Sequence, residues 1–597
     1  MFEHRKFEIT YYSGQNFKTK LFNNNFSNED FRAVISFETD SLYKKLILEI
    51  CPHKEIRIED LRMTIEFSYN SNQRVYVNGY QSWTDSREFF IDEKINGISR
   101  FAAPIMKKYQ FDKYGDYSFK KYTKKSGEFH GFTYSYIREK ENFKLIGSLS
   151  ERNGYTIIEH FTKKDKIVIN KECKGLHIKE KYTAYELVWI EGYEDEVFDS
   201  YFNLMNINKP RCKAMTGWTS WYNYYQDINE EIILENLNNF KAYDKTIDIF
   251  QIDDGYQTAV GDWLSIDSGK FPRGMKYIAD SIKEKGYKAG IWLAPFACET
   301  NSEIYKNKKH WILKDNNGEL VMAGSNWSGF YALDIHNLEV KQYIKNVFRV
   351  ILEDWGYDLV KLDFLYAVCL VPTKYKTRGQ IMCEAMEFLR ECVGDKLILG
   401  CGVPLGPSFG LVDYCRIGCD VGLDWDDKFF MRFLHRERIS TLNAITNSIG
   451  RRHLDGRAFL NDPDVFLLRE DNMRLTEVQR KTLSAVNSIF GSLIFTSDNI
   501  KKYDEKKHSL FDNIMNLEEK KIHKVEWHRK GLVQAYFSRG GKEYMLLVNL
   551  TGCKINYQSE VTTIKEVFLD RKETVEVSGS KLELQAYETR LFSVRRK

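Results

Sequence analysis

A chain of 597 residues exceeds one ordinary domain, so roughly two to four domains are expected. Its charges nearly balance, with 29% charged residues, a formal net charge of +4 and no basic run, which excludes an electrostatic footprint for nucleic acid or an anionic membrane. The opening MFEHRKFEITYY lacks a long apolar core and no apolar run reaches about eighteen residues, so neither a signal peptide nor a membrane span is expected. The eleven cysteines are scattered and form no closely spaced CxxC pairs, which argues against zinc and fits a reducing cytoplasm. Aromatic residues reach 14%, a figure that fits β-rich cores and also fits stacking on sugar faces.

From residue 1 to 205 the chain reads as short strands and turns, among them KLILEI, IRIEDLRMTIEF, GFTYSYIRE, FKLIGSLS and YTIIEHF. Strand signals at this spacing, without long helical periods, predict an amino-terminal β-sandwich. Within it, RVYVNGYQSWTDS carries Asn78-Gly79, a hairpin signal. Beyond NKPRC the grammar changes. AMTGWTSW, IDIFQIDDGY, KAGIWLAPF, DLVKLDFLYA, LILGCG, YCRIGCD, AFLNDPDVFLL and SLIFTSD alternate with helical patterns near 229–240, 276–285, 338–355, 379–392, 428–448 and 477–489. Eight strands alternating with helices over 206–503 predict a (β/α)8 TIM barrel. Residues 504–597 return to strands, such as VEWHRKGLVQAYF and EYMLLVNL, and predict a carboxy-terminal antiparallel β-domain.

In such a barrel chemistry sits at the carboxyl ends of the strands. The second strand ends in Asp253-Asp254, the fourth in Lys361 and Asp363, and the sixth in Arg416 and Asp420. The first and third offer Trp218, Trp221 and Trp292, and the fifth opens into CGVPLGP. A parallel strand buried on both faces is normally continuously apolar. DLVKLDFLYA instead alternates, with Val360, Leu362 and Phe364 on one side and Lys361 and Asp363 on the other. The pair is either a structural ion pair or part of a site. DDG is also ordinary turn chemistry, and Asp420 is a candidate helix cap.

Two carboxylates on opposite walls of a pocket are what retaining glycoside hydrolysis needs, one as nucleophile and one as acid then base. A lysine beside the nucleophile would hold it ionised. The vicinal Asp253-Asp254 would accept hydrogen bonds from two hydroxyls, and tryptophans would supply apolar walls.

GWTSW, QIDDGYQ, KFPRGMKYIADSIKEKGYKAGIWLAPF, VKLDFLYA, LGCGVPLGP, CRIGCD and FLNDPD, in this order, resemble the α-galactosidases of glycoside hydrolase family 36, in a clan shared with family 27. The resemblance covers about residues 205–500 and is nearest to the shorter bacterial and thermophile-type members. It implies Asp363 as nucleophile and Asp420 as acid/base. It implies Asp253 and Asp254 on the axial O4 and O6 of galactose, Lys361 on the O3/O4 side, and Arg416 near the acid/base and O2. Trp83, in NGYQSW, would reach over the barrel mouth to the sugar, or else serve a hairpin core. The segment Cys401-Gly402-Val403-Pro404 follows the short members rather than the larger ones, and Cys419 stands where the nearest members have Pro. Both border the C2 subsite, so α-galactoside and α-N-acetylgalactosaminide remain alternative substrates. No cofactor, metal, nucleic-acid or membrane partner is implied, and a homo-oligomer is open because the family often forms them.

Three other readings compete. A metal-dependent lyase of the enolase type needs carboxylates from about three successive strands, whereas the third strand ends in LAPF and the fifth in GCG. A non-catalytic carbohydrate-binding protein needs neither an acid nor a nucleophile. Transglycosylation shares the covalent intermediate and differs only in the acceptor.

Overall fold

The structure, a computed structural model, describes residues 2–99, 101–426, 436–558, 563–567, 574–578 and 581–594. The amino-terminal strands form two antiparallel sheets. In spatial order, one runs Asn16–Phe22, Arg5–Ser13, Ile56–Glu66, Lys166–Lys171, Thr156–Phe161 and Glu128–Phe132. The other runs Phe26–Ser27, Phe31–Thr39, Tyr43–Pro52, Tyr182–Gly192, Asn142–Ser148, Tyr134–Glu139, Arg74–Val77 and Arg87–Phe90. Alternating residues such as Phe7, Ile9 and Tyr11 face inward and meet Leu48, Val75 and Leu187 of the second sheet.

Asn78-Gly79 does not form a tight turn. The flanking strands pair Val77 with Arg87, so residues 78–86 make a nine-residue loop between them. Here Asn78 donates its side-chain amide to Phe132 O (3.0 Å) and Gly79 N donates to Ser86 Oγ (2.8 Å). A Cβ on Gly79 would lie 2.4 Å from Thr84, so the glycine serves close packing within the loop rather than a two-residue reversal.

Eight parallel strands follow: β1 (Met215–Thr219), β2 (Ile249–Ile252), β3 (Lys288–Leu293), β4 (Leu359–Leu362), β5 (Leu397–Gly400), β6 (Tyr414–Arg416), β7 (Leu460–Asp462, resumed as Val465–Phe466) and β8 (Leu493–Thr496). They pair in sequence from β1 to β7, and β8 pairs with β1. The last joint is unusual. The first half of β7 pairs with β6 and the second half with β8, with Pro463, which has no N–H to donate, at the break. The (β/α)8 architecture expected from the sequence is therefore present.

The helices follow the expected pattern with caps that explain their starts: Asn229 on Ile232 N, Thr377 on Gln380 N, and Thr476 with Gln479 as a reciprocal capping box. Of the helix expected over 428–448, residues 428–435 lie outside the described residues, 436–440 are not helical, and the helix starts at Thr441, capped by Ser440, and runs to Gly450.

Lys520–His528, Leu532–Arg539, Lys542–Asn549, Thr589–Ser593, Thr563–Val567 and Thr574–Ser578 form a six-stranded antiparallel sheet that closes the chain. No described helix is long and apolar enough to cross a membrane. Among the described residues the eleven cysteines form no disulfide.

Candidate active site

The carboxyl ends of β2, β3, β4 and β6 open into a cavity of about 230 Å³. Its wall includes Asp253, Asp254, Trp292, Lys361, Asp363, Cys419 and Asp420 from the barrel, with Trp221 after β1. Loop 78–86 contributes Trp83 as a roof. Of the residues singled out in the sequence, Cys401 and Arg416 do not line it. Cys401 is buried behind Trp83, whose indole N–H donates to its Sγ at 3.4 Å. Arg416 is buried behind Asp420. Trp218 is also absent from the wall: it is buried, stacks on Phe250 at 4.3 Å and donates its N–H to Asp498 O.

Asp363 follows directly on β4. Its Oδ2 accepts the Trp292 indole N–H at 3.1 Å and its Oδ1 accepts the Phe364 amide at 2.8 Å. Phe364 itself takes a left-handed backbone (φ 52°), an arrangement a non-glycine residue adopts at some cost. The same turn swings the Phe364 ring off the apolar side expected of it and into the cavity wall. There it meets Trp83 and Trp327 edge-on, with centroids at 5.3 and 5.1 Å. Burial pushes the Asp363 carboxyl above its usual range, and Asp420 adds to this, while Lys361 and the Trp292 N–H oppose it.

Lys361 does not pair with Asp363. Its Nζ donates to Asp253 Oδ2 at 2.8 Å, with both side chains buried. Burial lowers the lysine's proton affinity, but Asp253 more than offsets this, and Lys361 stays charged. The direct Lys361–Asp363 ion pair weighed from the sequence does not form, since the lysine's partner is the β2 carboxylate, but its nearby charge does act to lower the Asp363 carboxyl as expected. Asp253 also accepts from Gln251 Nε2 (2.7 Å) and the Asp254 amide (3.0 Å). Asp254 accepts from Trp327 Nε1 (2.8 Å), Gln226 Nε2 (2.9 Å) and Gln257 Nε2 (2.6 Å). Burial nevertheless raises the Asp254 carboxyl.

Asp420 differs from Asp363 in its surroundings. Its side chain keeps 32% of its surface exposed, and its Oδ1 accepts from Arg416 Nη1 at 2.8 Å. One buried carboxylate and one partly open carboxylate thus share a small cavity, the asymmetry that division of labour between nucleophile and acid/base requires.

Gly402, in the loop after β5, sits against Asp363. A Cβ there would lie 2.8 Å from Phe364 N, 2.9 Å from Trp83 Cζ2 and 3.0 Å from Asp363 Oδ1, and its φ is +52°.

Sequence reasoning missed Phe111, Tyr114, Tyr225, Asn326, Trp327, Phe364, Glu437 and Ile439, all of which line the cavity. Trp327 lies in the long β3–β4 connection, which carries its own three-stranded sheet of Ala297–Glu299, Met322–Gly324 and Phe330–Ala332. A connection of that length was the available signal. Glu437 and Ile439 face the cavity, whereas Arg436 and Arg438 between and beside them face a larger cleft of about 530 Å³ at the junction with the other two domains. That cleft holds arginines rather than the facing carboxylates Asp363 and Asp420. Thr84 Oγ1 donates to Glu437 Oε1 at 2.7 Å, and burial pushes the Glu437 carboxyl up to about 7.

The roof loop is fixed to the barrel by its backbone. Ser82 N donates to Val403 O (3.0 Å), Arg451 Nη1 donates to Ile417 O (2.8 Å) and also to Ser82 O, and Arg451 Nη2 donates to Gln81 O (2.9 Å). Ser86 N donates to Asn447 Oδ1 (2.7 Å).

Residues 209–385 match the family model described as Melibiase. Alpha-galactosidase Mel36A of Lactobacillus acidophilus is 27% identical over 151 residues, 24% of this chain and 20% of its own length. Alpha-galactosidase AgaA of Geobacillus stearothermophilus has the same identity and coverage. The match therefore spans about a fifth of the length of these curated relatives. Among solved structures, the α-galactosidase TtGalA of Thermus thermophilus, in complex with p-nitrophenyl α-D-galactopyranoside, superposes with a TM-score of 0.66 at 25% identity, over 85% of this chain and 98% of its own. AgaA superposes over 99% of this chain and 89% of its own with a TM-score of 0.62; at 12% identity this speaks to the fold alone. The resemblance to family 36 α-galactosidases, read from the motifs, is borne out.

Proposed function

From the melibiase segment and the cavity we propose that the chain is a retaining exo-α-galactosidase that releases terminal α-linked galactose from oligosaccharides or glycoconjugates. One observation carries the reading: Asp363 and Asp420 line the same small cavity, next to the hydrogen-bonded pair Asp253-Asp254. The names of its relatives, and the galactosides held by the Thermus and Geobacillus proteins, support the substrate class.

In the first step an Asp363 carboxylate oxygen bonds to the anomeric carbon while the glycosidic bond breaks. The departing oxygen takes the proton of Asp420. Asp420, now a carboxylate, then removes a proton from water whose oxygen attacks the same carbon, and the bond to Asp363 breaks. Two inversions return the α-anomer. Asp253 and Asp254 would take the O4 and O6 hydroxyls, with Lys361 on the O3/O4 side and Trp83, Trp221 and Trp292 as walls. Cys401 and Arg416 would act from behind the wall, through Trp83 and Asp420. A cavity of about 230 Å³ under a tryptophan roof suits one terminal sugar ring, which supports the exo mode.

N-acetylgalactosamine is the second reading. Cys419 lines the cavity beside Asp420, and Cys401 lies behind Trp83, the two positions that border the C2 side of the sugar in this reading. The boundaries we propose are 1–205 for the sandwich, 206–503 for the barrel and 504–597 for the last domain. A cytoplasmic location is supported by the cysteines, which form no disulfide among the described residues.

The test is hydrolysis of p-nitrophenyl α-galactoside against p-nitrophenyl α-N-acetylgalactosaminide, with NMR of the first-formed anomer. The galactoside should be preferred and the α-anomer should appear first, with full activity in excess chelator. Preference for the N-acetyl sugar would move the substrate and keep the mechanism. Cleavage of neither would favour a carbohydrate-binding protein.

A further inference from the structure

The FLNDPD stretch places a third carboxylate behind the site. Pro463 breaks β7, and Asp464, just after it, takes a left-handed backbone (φ 75°) held by its own N–H on Asp462 Oδ1 at 2.8 Å. This turns the buried Asp464 side chain toward the end of β6. Its Oδ1 lies 2.7 Å from Arg416 Nη2. Its Oδ2 accepts the amide of Val421, the residue after Asp420, at 2.8 Å, and also accepts the Tyr222 hydroxyl. Tyr222 in turn accepts from Arg416 Nη2 at 3.2 Å, and Arg416 Nη1 reaches Asp420.

We infer that Asp464 is a positioning residue for the acid/base, fixing Asp420 through the Arg416 guanidinium and through the backbone that follows Asp420. The inference rests on the proposed roles of Asp363 and Asp420. Asp464 does not line the cavity, so any effect it has on the reaction passes through these contacts.

The electrostatic consequence follows from sharing. One guanidinium serves Asp420, Asp464 and, at 3.5 Å from its Nε, Asp462. The groups that face Asp464 are Arg416, Asp420, Asp462 and Tyr222; Lys361 faces Asp462. The groups that face Asp420 are Arg416, Asp363, Asp464, Tyr222, Tyr225, Cys401 and Cys419. Among them Arg416 is the only cation in direct contact with Asp420 that the structure describes. Burial raises the Asp462 and Asp464 carboxyls, Asp464 to about 7, and Arg416 opposes the rise in both, so its charge is shared among three carboxyl groups rather than given to Asp420 alone. Asp464→Asn takes away one competitor for Arg416, so the guanidinium would turn more fully to Asp420 and favour its carboxylate over the acid that the first step needs.

The test compares wild type, Asp464→Asn and Tyr222→Phe on p-nitrophenyl and methyl α-galactosides across pH. Asp464→Asn should move the alkaline limb of the kcat/KM profile about one unit toward acid. It should also lower the rate on the methyl glycoside, whose leaving oxygen needs the proton, roughly tenfold more than on the p-nitrophenyl glycoside. Tyr222→Phe, which removes one hydroxyl from a buried ring, should shift both readouts the same way by a smaller amount, and it carries the test if the first variant fails to fold. An unchanged limb together with equal losses on both substrates would overturn the inference. A wild type inactive on both substrates would overturn the α-galactosidase reading, and this inference with it.

Discussion

Lys361 Nζ lies 2.8 Å from Asp253 Oδ2, whereas Asp363, two residues along the same chain, takes its hydrogen bonds from the Trp292 indole and the Phe364 amide. The buried positive charge of β4 is thus spent on the carboxylate of β2. Cutting that pair leaves Asp253 buried without its cation, a change that typically costs about 3–5 kcal/mol. Lys361→Met should therefore lower the denaturation midpoint as well as raise KM for an α-galactoside. Retention of wild-type stability in a urea titration would count against a buried pair.

Asp363→Ala removes the attacking oxygen without disturbing the helices or the roof. Turnover should fall by about four orders of magnitude or more, in line with other lost nucleophiles. Circular dichroism should be unchanged. Added azide should restore part of the rate and give the β-galactosyl azide by single inversion, identified by NMR. Substantial activity without azide would displace Asp363 from its role.

Burial raises the Asp363 carboxyl and the Trp292 N–H acts against that rise. Only the ionised carboxylate attacks, so a raised value moves the acidic limb of kcat/KM toward neutral pH. Trp292→Phe keeps an aromatic ring, though a smaller one, and deletes the N–H. The acidic limb should then move further up in pH, while the alkaline limb stays in place. A downward movement would contradict the hydrogen bond's direction of effect.

Gly402→Ala puts a methyl group within 3.0 Å of Asp363 Oδ1 and 2.9 Å of Trp83, at a left-handed φ that also strains any side chain. A stability loss of about 1–2 kcal/mol is expected from the backbone alone. The larger effect should be on kcat, because the methyl group displaces the attacking oxygen. A variant with normal kcat would mean that the loop yields rather than the carboxylate.

Much of the barrel was legible because the apolar runs of β2, β4 and β6 stop at polar residues, whereas β3 and β5 run on into LAPF and GCG. Asp253, Asp254, Lys361, Asp363 and Asp420 all sit at those stops, and the structure brings all five to one cavity. What escaped has physical reasons. Trp327 and Tyr114 reach the cavity from long connections whose path no periodicity encodes. Phe364 was assigned to the wrong side because strand alternation ends at Leu362, two residues before the left-handed Phe364. Arg416 has the composition of a ligand-binding arginine, and only packing reveals that three carboxylates enclose it. Asn78-Gly79 carries the chemistry of a two-residue hairpin, yet it opens a long loop held by partners far along the chain.

The anchoring of loop 78–86 has a bearing on ancestry and recombination. Its hydrogen bonds run to Val403, Arg451, Asn447 and Glu437, residues belonging to three different segments of the barrel. Behind it, Tyr76, Tyr134 and Tyr136 of the sandwich crowd around His453. A crossover at the sandwich–barrel border would bring in a foreign loop with no matching partners, and the chimera would inherit a pocket without a ceiling. The two domains are joined by a short stretch of chain, but these contacts make the pocket a joint product of both, so a working recombinant is expected to inherit them together.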